Sequence, residues 1–277
     1  MSKLPKVSLI VPVWFNDDAG RDMTIKSIDS MEKTIYPDYD LILVDDCSPY
    51  GHVANDDFAV DDTAFDIIKR RYGGRHTVVQ TPQNGGSTVA VNYGLQFTDA
   101  AFVQYQNNDV EFPDPYWLQK QMGYFDDPEV GVVGCKMRYP DGRIQHAGAC
   151  WRSIGEHAID HIGQRQQDIK PWSDVPFVTG CGMTIRREIL EKNGGGFTVF
   201  QGYGWDDIDI QVKAKKWGWK VKVAHEAEFV HFGSFSYRQL PDLASRENYL
   251  ANLANFAEIP IEPEETIGHF QKLLYLE

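Results

Sequence analysis

The sequence predicts an α/β fold with a mostly parallel sheet flanked by helices. Two observations support this: β-rich apolar runs alternate with helix patterns through the first half, and polar clusters follow several of those runs. The first run, residues 7–13, is Val-Ser-Leu-Ile-Val-Pro-Val, which is typical of a strand buried on both faces. The βαβαβαβ rhythm implies parallel strands joined by right-handed crossovers.

The elements follow this rhythm in order. Strands are predicted at 7–13, 40–44, 76–80 and 101–105, and helices at 21–33, 63–71 and 87–97. The second half is mixed, with strands predicted at 130–134 and 220–224, a hairpin turn at Asp141-Gly142 and a helix at 206–217. The polar segment 153–176 has no clear period, so we expect a functional loop there. The tail from residue 241 onward is expected to form two helices.

Composition excludes several classes of protein. The chain has 277 residues, of which 42% are apolar and 13% aromatic, so we expect a sizeable core and little disorder. The net charge is −13 and no Lys/Arg run occurs, which makes a nucleic-acid partner unlikely. No apolar window is long enough for a transmembrane anchor or a signal peptide, and we therefore expect a cytoplasmic protein. The four cysteines lack CxxC spacing and are expected to be free thiols.

The most informative segment is Gln-Tyr-Gln-Asn-Asn-Asp at 104–109, which follows the apolar run 100–103. It is typical of a buried strand that ends in a polar cluster, and ligands of open α/β sheets bind beyond such strand ends. The carboxylate of Asp109 could hold a divalent cation, and the cation could hold a diphosphate. This pattern indicates a nucleotide-sugar enzyme, although a turn of Asx residues would also explain Asn107 and Asn108.

Polar residues also follow the second and third strands. Asp45 and Asp46 come directly after a buried strand, where a carboxylate can accept hydrogen bonds from a base or a ribose, or can cap a turn. The segment 83–87, Gln-Asn-Gly-Gly-Ser, could cradle a phosphate at a helix N-terminus or form a plain turn. Asn92 is a polar residue among apolar ones on the following helix and could face the site.

Two further motifs lie in the second half. Asp206, Asp207 and Asp209 begin a helix, where one or two carboxylates would suffice for capping. Because Asp206 and Asp207 are adjacent, the pKa of one of them could be raised to that of a useful base. His231 follows the predicted strand at 228–230 and could bind a transition metal or be a structural histidine.

In this order, these motifs resemble the family-2 glycosyltransferases of the GT-A fold. The resemblance covers residues 6–237 and is carried by the opening strand 7–14, Val44-Asp45-Asp46-Cys47-Ser48, Asn84-Gly85-Gly86 with Ala90 and Asn92, Asn107-Asn108-Asp109, the segment 139–148 of the rhamnosyltransferase-like branch, the segment 178–183, Gly195-Gly196-Phe197 and Asp206-Asp207-Ile208-Asp209. It implies a single GT-A domain, 1–277, with a Rossmann-like nucleotide-binding half at 1–112, an acceptor and catalytic half at 113–240 and a helical tail at 241–277.

The resemblance also implies an activity: metal-dependent, inverting transfer of a sugar from a UDP- or dTDP-sugar to a hydroxyl of a glycan or lipid-linked acceptor. Asp207 would be the general base, with Asp206 as its rival. Asp109 and His231 would ligate Mn²⁺ or Mg²⁺, with Asn107 as a weaker ligand. The donor would contact Pro12, Val13, Trp14, Asp45, Asn84, Asn92, Asn107 and Asn108.

Two other functions are compatible with the same α/β pattern. A non-catalytic module that binds nucleotides or carbohydrates is one, although the intact triplet at 206, 207 and 209 favours catalysis. A sugar nucleotidyltransferase is the other, but it would normally need a Gly-rich, basic loop after the first strand. The segment 12–18 contains no such loop.

Overall fold

The computed structural model describes residues 4–50, 62–148, 150–153, 156–158, 174–200 and 205–233. The predicted helical tail at 241–277 and most of the predicted loop at 153–176 lie outside the described residues. Within these ranges, no helix is long and apolar enough to cross a bilayer.

The elements alternate in the first half and become strand-rich in the second. The strands are β1 (Val7–Val13), β2 (Tyr39–Asp45), β3 (Thr77–Gln80), β4 (Phe102–Tyr105), β5 (Val110–Glu111), β6 (Val130–Arg138), β7 (Ile144–His146), β8 (Cys150–Ser153), β9 (Glu156–Ala158), β10 (Met183–Arg186) and β11 (Lys220–His231). The helices are α1 (Asp18–Met31), α2 (Ala64–Tyr72), α3 (Ser87–Gly94), α4 (Trp117–Met122), α5 (Arg187–Lys192) and α6 (Asp206–Lys216).

Within the described residues, nine strands of both halves form one sheet, in the order β3-β2-β1-β4-β10-β6-β11-β5, with β7 paired to β6. The first four strands in this order are mutually parallel, as the sequence predicts. Strand β10 is antiparallel to both of its neighbours, so the second half is mixed. Strands β8 and β9 form a separate pair. The predicted α/β class is confirmed.

Burial on both faces explains why β1 is apolar throughout, since all seven of its residues are buried. Helix α3 lies close to this strand because Gly94 has no side chain: a Cβ there would stand 2.5 Å from Ile10 and 3.0 Å from Val44. Helix α2 begins with a capping box, in which Thr63 and Asp66 satisfy each other's backbone N–H groups. Local caps and close packing thus fix the helices against the sheet.

The structure differs from the predicted boundaries mainly at β11. The sequence predicts two short strands, at 220–224 and 228–230, whereas β11 is one continuous strand of 12 residues that ends at His231. Its pairing with β6 shifts register between Ala224 and Glu228, where His225 and Glu226 break the apolar alternation. Because a bulge interrupts the apolar alternation, a sequence pattern predicts a strand end where the strand in fact continues.

Candidate functional site

The carboxyl ends of β1, β2 and β4 meet at one edge of the sheet. Val13 at the end of β1 is paired with Asp45 at the end of β2, and β4 runs parallel on the other side of β1. Pro12 and Val13 are buried, while Trp14 beyond them is half-buried. The predicted donor residues of the first strands therefore gather where open α/β sheets bind ligands.

Asp45 and Asp46 point to different partners. Asp45 accepts hydrogen bonds from Ser48 Oγ at 2.5 Å and Gln80 Nε2 at 2.7 Å. Burial raises the pKa of Asp45 despite these bonds. Asp46 instead accepts from the backbone N–H groups of Gly85, at 3.1 Å, and Gly86, at 2.7 Å. The Asp46 carboxylate thus occupies the amides that were a candidate phosphate cradle.

Asn84 and Asn92 have side chains that join segments of the protein. Asn84 Nδ2 donates to the Asp46 carbonyl at 2.9 Å. The Asn92 amide forms a two-way bond with the Phe197 backbone, donating to its carbonyl and accepting from its N–H, both at 2.8 Å. Gly196 permits this contact, because a Cβ there would lie 2.6 Å from Asn92 Oδ1. Their predicted contact with the donor stays a prediction.

Asp109 and His231 meet because of a strand register. Strand β5 pairs antiparallel with β11 so that Val110 lies opposite His231, and the Phe232 N–H donates to the Asp109 carbonyl at 2.9 Å. His231 Nε2 consequently lies 3.1 Å from Asp109 Oδ1. The Asn107 amide approaches the same Nε2 atom at 3.4 Å. The three predicted metal-binding residues are therefore together.

Helix α1 holds this segment through a row of buried hydroxyl groups. Thr24 accepts a hydrogen bond from Asn108 Nδ2 at 2.8 Å, and Ser27 accepts from the Val110 N–H at 3.2 Å. One turn further, Ser30 accepts from the Phe112 N–H at 3.3 Å. Asn108 therefore points its amide at α1, and the row fixes the segment 108–112, which contains Asp109.

The side-chain atoms at this site fit a divalent cation whose remaining coordination positions are filled by a bound substrate. A carboxylate oxygen and an imidazole nitrogen, both electron-pair donors, face each other in the pair Asp109 and His231, which a cation would stabilise. The described part of the chain contains no group of three or more His, Cys, Asp or Glu side chains that could hold a metal alone. Mg²⁺ is commonly bound by one or two protein carboxylates together with substrate phosphates.

Sequence reasoning missed Gln145, the residue that orients His231. Its Oε1 lies 2.7 Å from His231 Nδ1, on the side of the ring opposite Asp109. Gln145 belongs to the segment 139–148 that carried part of the family resemblance, but nothing local indicates a partner in β11. A polar side chain beside a histidine on a short strand was the only available signal.

The three aspartates at the start of α6 lie in three different environments. Asp206 is 4% exposed, and burial followed by the charge of Asp207 raises its pKa from 3.8 to about 7. The Thr88 hydroxyl is hydrogen-bonded to it and opposes the rise. Trp205, just before the helix, has a left-handed backbone with φ of 76°, a strained conformation for a bulky residue. A carboxyl held in this way is substantially protonated near neutral pH.

Asp207 and Asp209 are both hydrogen-bonded but to different groups. Asp207 accepts from the Gly180 N–H at 2.7 Å and from the Ile208 N–H at 2.8 Å. Asp209 is paired with Lys213 at 2.6 Å and with the Thr198 hydroxyl at 2.6 Å. Asp209 therefore stabilises the helix and its approach segment, whereas Asp207 is held by backbone groups.

Neighbouring residues connect the acidic helix start to the pair Asp109 and His231. Gly180 donates to Asp207, and a Cβ on Gly180 would lie 3.3 Å from the Asp207 Cβ. The next residue, Cys181, is buried, and its thiol is close enough to Asp109 for that charge, after burial itself, to raise the pKa of the thiol. The candidate base and the candidate metal ligands thus lie on either side of one short turn before β10.

The fold is an α/β fold with polar side chains gathered at the carboxyl ends of its parallel strands, and comparison with known proteins gives the family. The chain belongs to glycosyl transferase family 2, whose model matches residues 8–194. The expected GT-A fold is confirmed by its structural neighbours.

Two curated relatives illustrate the sequence similarity. The O-antigen biosynthesis protein RfbC of Myxococcus xanthus is 28% identical over 246 residues, which cover 84% of this chain and 18% of that protein. The pre-mycofactocin glycosyltransferase of Mycobacterium tuberculosis is 26% identical over 204 residues, or 74% of this chain and 38% of that protein. The chain thus spans only a minor part of the length of either relative.

Two solved structures have the same fold. The mannosyltransferase PcManGT from Pyrobaculum calidifontis, solved in complex with GDP-Man and Mn²⁺, superposes with a TM-score of 0.65 at 18% identity, over 99% of this chain and 69% of that one. S. aureus TarS 1-349 in complex with UDP gives a TM-score of 0.62 at 17% identity, over 97% of this chain and 70% of that one.

Proposed function

We propose that this glycosyltransferase is metal-dependent and inverting, and that it moves a sugar from a UDP- or dTDP-sugar to an acceptor hydroxyl by single displacement. The observation that carries the proposal is the meeting of Asp109 and His231 at 3.1 Å at the donor edge of the sheet, with Asp207 joined to them through Gly180 and Cys181. The Mn²⁺ in the mannosyltransferase neighbour and the nucleotides in both neighbours support it.

The donor would lie along the ends of β1, β2 and β4. Asp45 is buried with fixed partners, so it can present a carboxylate oxygen to a base or ribose without rearranging. Asp109, His231 and Asn107 would hold Mn²⁺ or Mg²⁺ beside the diphosphate. When bound, the cation would stabilise the negative charge that develops on the leaving diphosphate.

Asp207 is the proposed general base. In the displacement, the acceptor oxygen forms a bond to the anomeric carbon while the bond from that carbon to the diphosphate breaks, and Asp207 takes the hydroxyl proton. Asp206 is a poorer candidate because its carboxyl is buried away from an acceptor hydroxyl, whereas Asp207 is less buried; the raised pKa by itself would suit a base. A single base suffices, and no covalent enzyme intermediate is needed.

The acceptor is proposed to be a glycan or a lipid-linked sugar in polysaccharide biosynthesis. This part of the proposal is supported by the similarity to a protein named for O-antigen biosynthesis, of which the chain matches 18%.

The decisive experiment compares Asp207→Asn with Asp209→Asn. Both changes replace a carboxylate by an amide on α6, but Asp209 is paired with Lys213 and Thr198. We expect Asp207→Asn to lower kcat by about 10²- to 10⁴-fold, the range of general-base catalysis. Transfer would be measured with the donor that stabilises the protein, against an acceptor panel, and donor binding by calorimetry.

The control separates loss of the base from damage to the helix. Asp209→Asn should lower thermal stability while most of the transfer activity remains, and both variants should bind the donor. Full activity of Asp207→Asn would refute the assignment of the base. Donor binding by the unchanged protein without turnover on any acceptor would favour a non-catalytic binding module.

A further inference from the structure

Gln145 reaches His231 across an intervening strand. Met137 of β6 is paired with His146 of β7 on one side and with Phe229 of β11 on the other. Strands β7 and β11 are thus separated by β6, and neighbouring strands lie about 4.8 Å apart. The Gln145 amide nevertheless comes within 2.7 Å of the His231 ring. Few side chains are long enough to span this gap.

An irregularity in the pairing aims Gln145 at this target. Along β6 the register advances by one residue, from Met137 to Arg138, while along β7 it moves by two, from His146 to Ile144. Gln145 is the extra residue opposite that step, which makes it the bulged position. Bulges next to functional sites redirect a side chain that regular pleating would send elsewhere.

The contact determines which nitrogen of His231 is available. The amide oxygen of Gln145 can only accept, so this contact favours the tautomer in which Nδ1 carries the proton and donates. A neutral ring protonated at Nδ1 presents the lone pair of Nε2, the atom that lies 3.1 Å from Asp109 and accepts from the Asn107 amide at 3.4 Å. The ring is thereby fixed in both orientation and tautomer for ligation through Nε2.

We propose that Gln145 is a positioning residue for the metal site, acting through His231. It does not touch the cation; it holds the imidazole in the ligating tautomer with the ring plane aligned. Removal of such an outer hydrogen-bond partner typically lowers metal affinity by about 10- to 100-fold. The inference rests on the proposed metal-dependent function and adds to it a residue outside the predicted ligands.

The test compares Gln145→Leu with Gln145→Glu and with Gln119→Leu. The first removes the acceptor at similar size, the second keeps an oxygen acceptor, and the third makes the same change at an exposed position on α4. Mn²⁺ binding is followed by the loss of the free-ion EPR signal, with UDP, dTDP or GDP present. We expect about 10- to 100-fold weaker binding for Gln145→Leu alone, with the other two variants close to the unchanged protein or tighter.

A second readout needs no metal. In two-bond ¹H–¹⁵N spectra recorded where the ring is neutral, His231 should have its proton on Nδ1 in the unchanged protein and in Gln145→Glu. Gln145→Leu should shift the proton toward Nε2. The His231 signals are identified by their absence from His231→Asn.

The outcomes separate the two proposals. If the unchanged protein binds no Mn²⁺ with any of the three nucleotides, the proposed metal dependence and this inference both fail. If it binds Mn²⁺ and Gln145→Leu binds equally well, only the role of Gln145 is overturned. An Nε2-protonated His231 in the unchanged protein also overturns it. If Gln119→Leu weakens Mn²⁺ binding as much as Gln145→Leu does, the effect is general destabilisation, and the role of Gln145 is overturned.

Discussion

Asp206 has a protonation state that follows from where it is buried. Its carboxyl lies at the start of α6 beside a second carboxylate, and hydrogen bonds from the Thr88 hydroxyl and from the backbone at 206 and 207 offset its burial only in part. Ionising it would bury a charge next to a like charge, which raises its pKa to about 7. Asp207, one residue on, has backbone N–H partners and is less buried. Adjacent identical residues thus acquire different chemistry.

The raised pKa of Asp206 predicts a specific pH dependence of stability. Because the folded pKa lies above the unfolded value of 3.8, the stabilisation is complete below 3.8 and is lost as the pH rises through about 7. Relative to Asp206→Asn, the unchanged protein should lose up to about 1.4 kcal/mol of unfolding free energy per pH unit across that window. Urea unfolding at several pH values measures this. Parallel pH profiles for the two proteins would contradict it.

At the scale of elements, pairing register brings the site together. Asp109 and His231 belong to segments more than a hundred residues apart, and they meet because Val110 lies opposite His231. A slip of one residue would turn the His231 side chain to the other face of the sheet. The hydroxyl row on α1 opposes such a slip by binding the backbone of β5. The helix therefore stabilises the site without contributing a ligand.

The row of hydroxyl groups on α1 predicts that removing one of them lowers the unfolding free energy more than a surface change does. Ser27→Ala leaves the buried N–H of Val110 without its acceptor. We expect a loss of about 1–3 kcal/mol of unfolding free energy, the cost of an unsatisfied buried donor. Urea unfolding measures the change.

Lys26→Ala, the neighbouring position on the same helix, is the comparison for Ser27→Ala. Lys26 forms an exposed ion pair with Glu111, and such pairs contribute about 0–1 kcal/mol. The serine variant should therefore be the more destabilised of the two. An unchanged unfolding midpoint for Ser27→Ala would mean that the Val110 amide finds another partner.

At the scale of the whole molecule, the proposed donor site draws residues from both halves of the chain. Asp45 and Asp109 come from the first half, and His231, Gln145 and Asp207 come from the second. All of them are attached to the one nine-stranded sheet or to the elements packed on it. A ligand bound at this edge would bridge the two halves and stabilise the folded state as a unit.

Ligand binding should therefore raise the melting temperature. We expect a metal-dependent shift with one of UDP, dTDP or GDP, or with a corresponding sugar, equivalent to about 2.7 kcal/mol when the ligand is at a hundred times its Kd. Thermal unfolding with and without Mn²⁺ measures it, and the nucleotide that acts identifies the donor class.

The pattern of shifts tests each part of the site. Asp109→Asn should abolish the dependence on Mn²⁺, because the carboxylate is the strongest proposed ligand. Absence of any shift in the unchanged protein would contradict the proposed donor site, while leaving the family and the fold as they are.

The sequence by itself determined the elements and the chemistry available at their ends. The apolar run of β1 and the carboxylates after β2 and at the start of α6 are local patterns, and local sterics and periodicity are sufficient to interpret them. They also indicated Asp109, His231 and Asp207 as candidate site residues.

Only the tertiary structure decided what those residues touch. It directed Asn108 to Thr24, Asn92 to Phe197, and Gln145 to His231. Each of these contacts depends on strand register, a bulge or a glycine that admits a close approach, and none leaves a periodic trace in the sequence. The different protonation of Asp206 and Asp207 has the same origin, because burial is a property of the packed molecule and not of the residue.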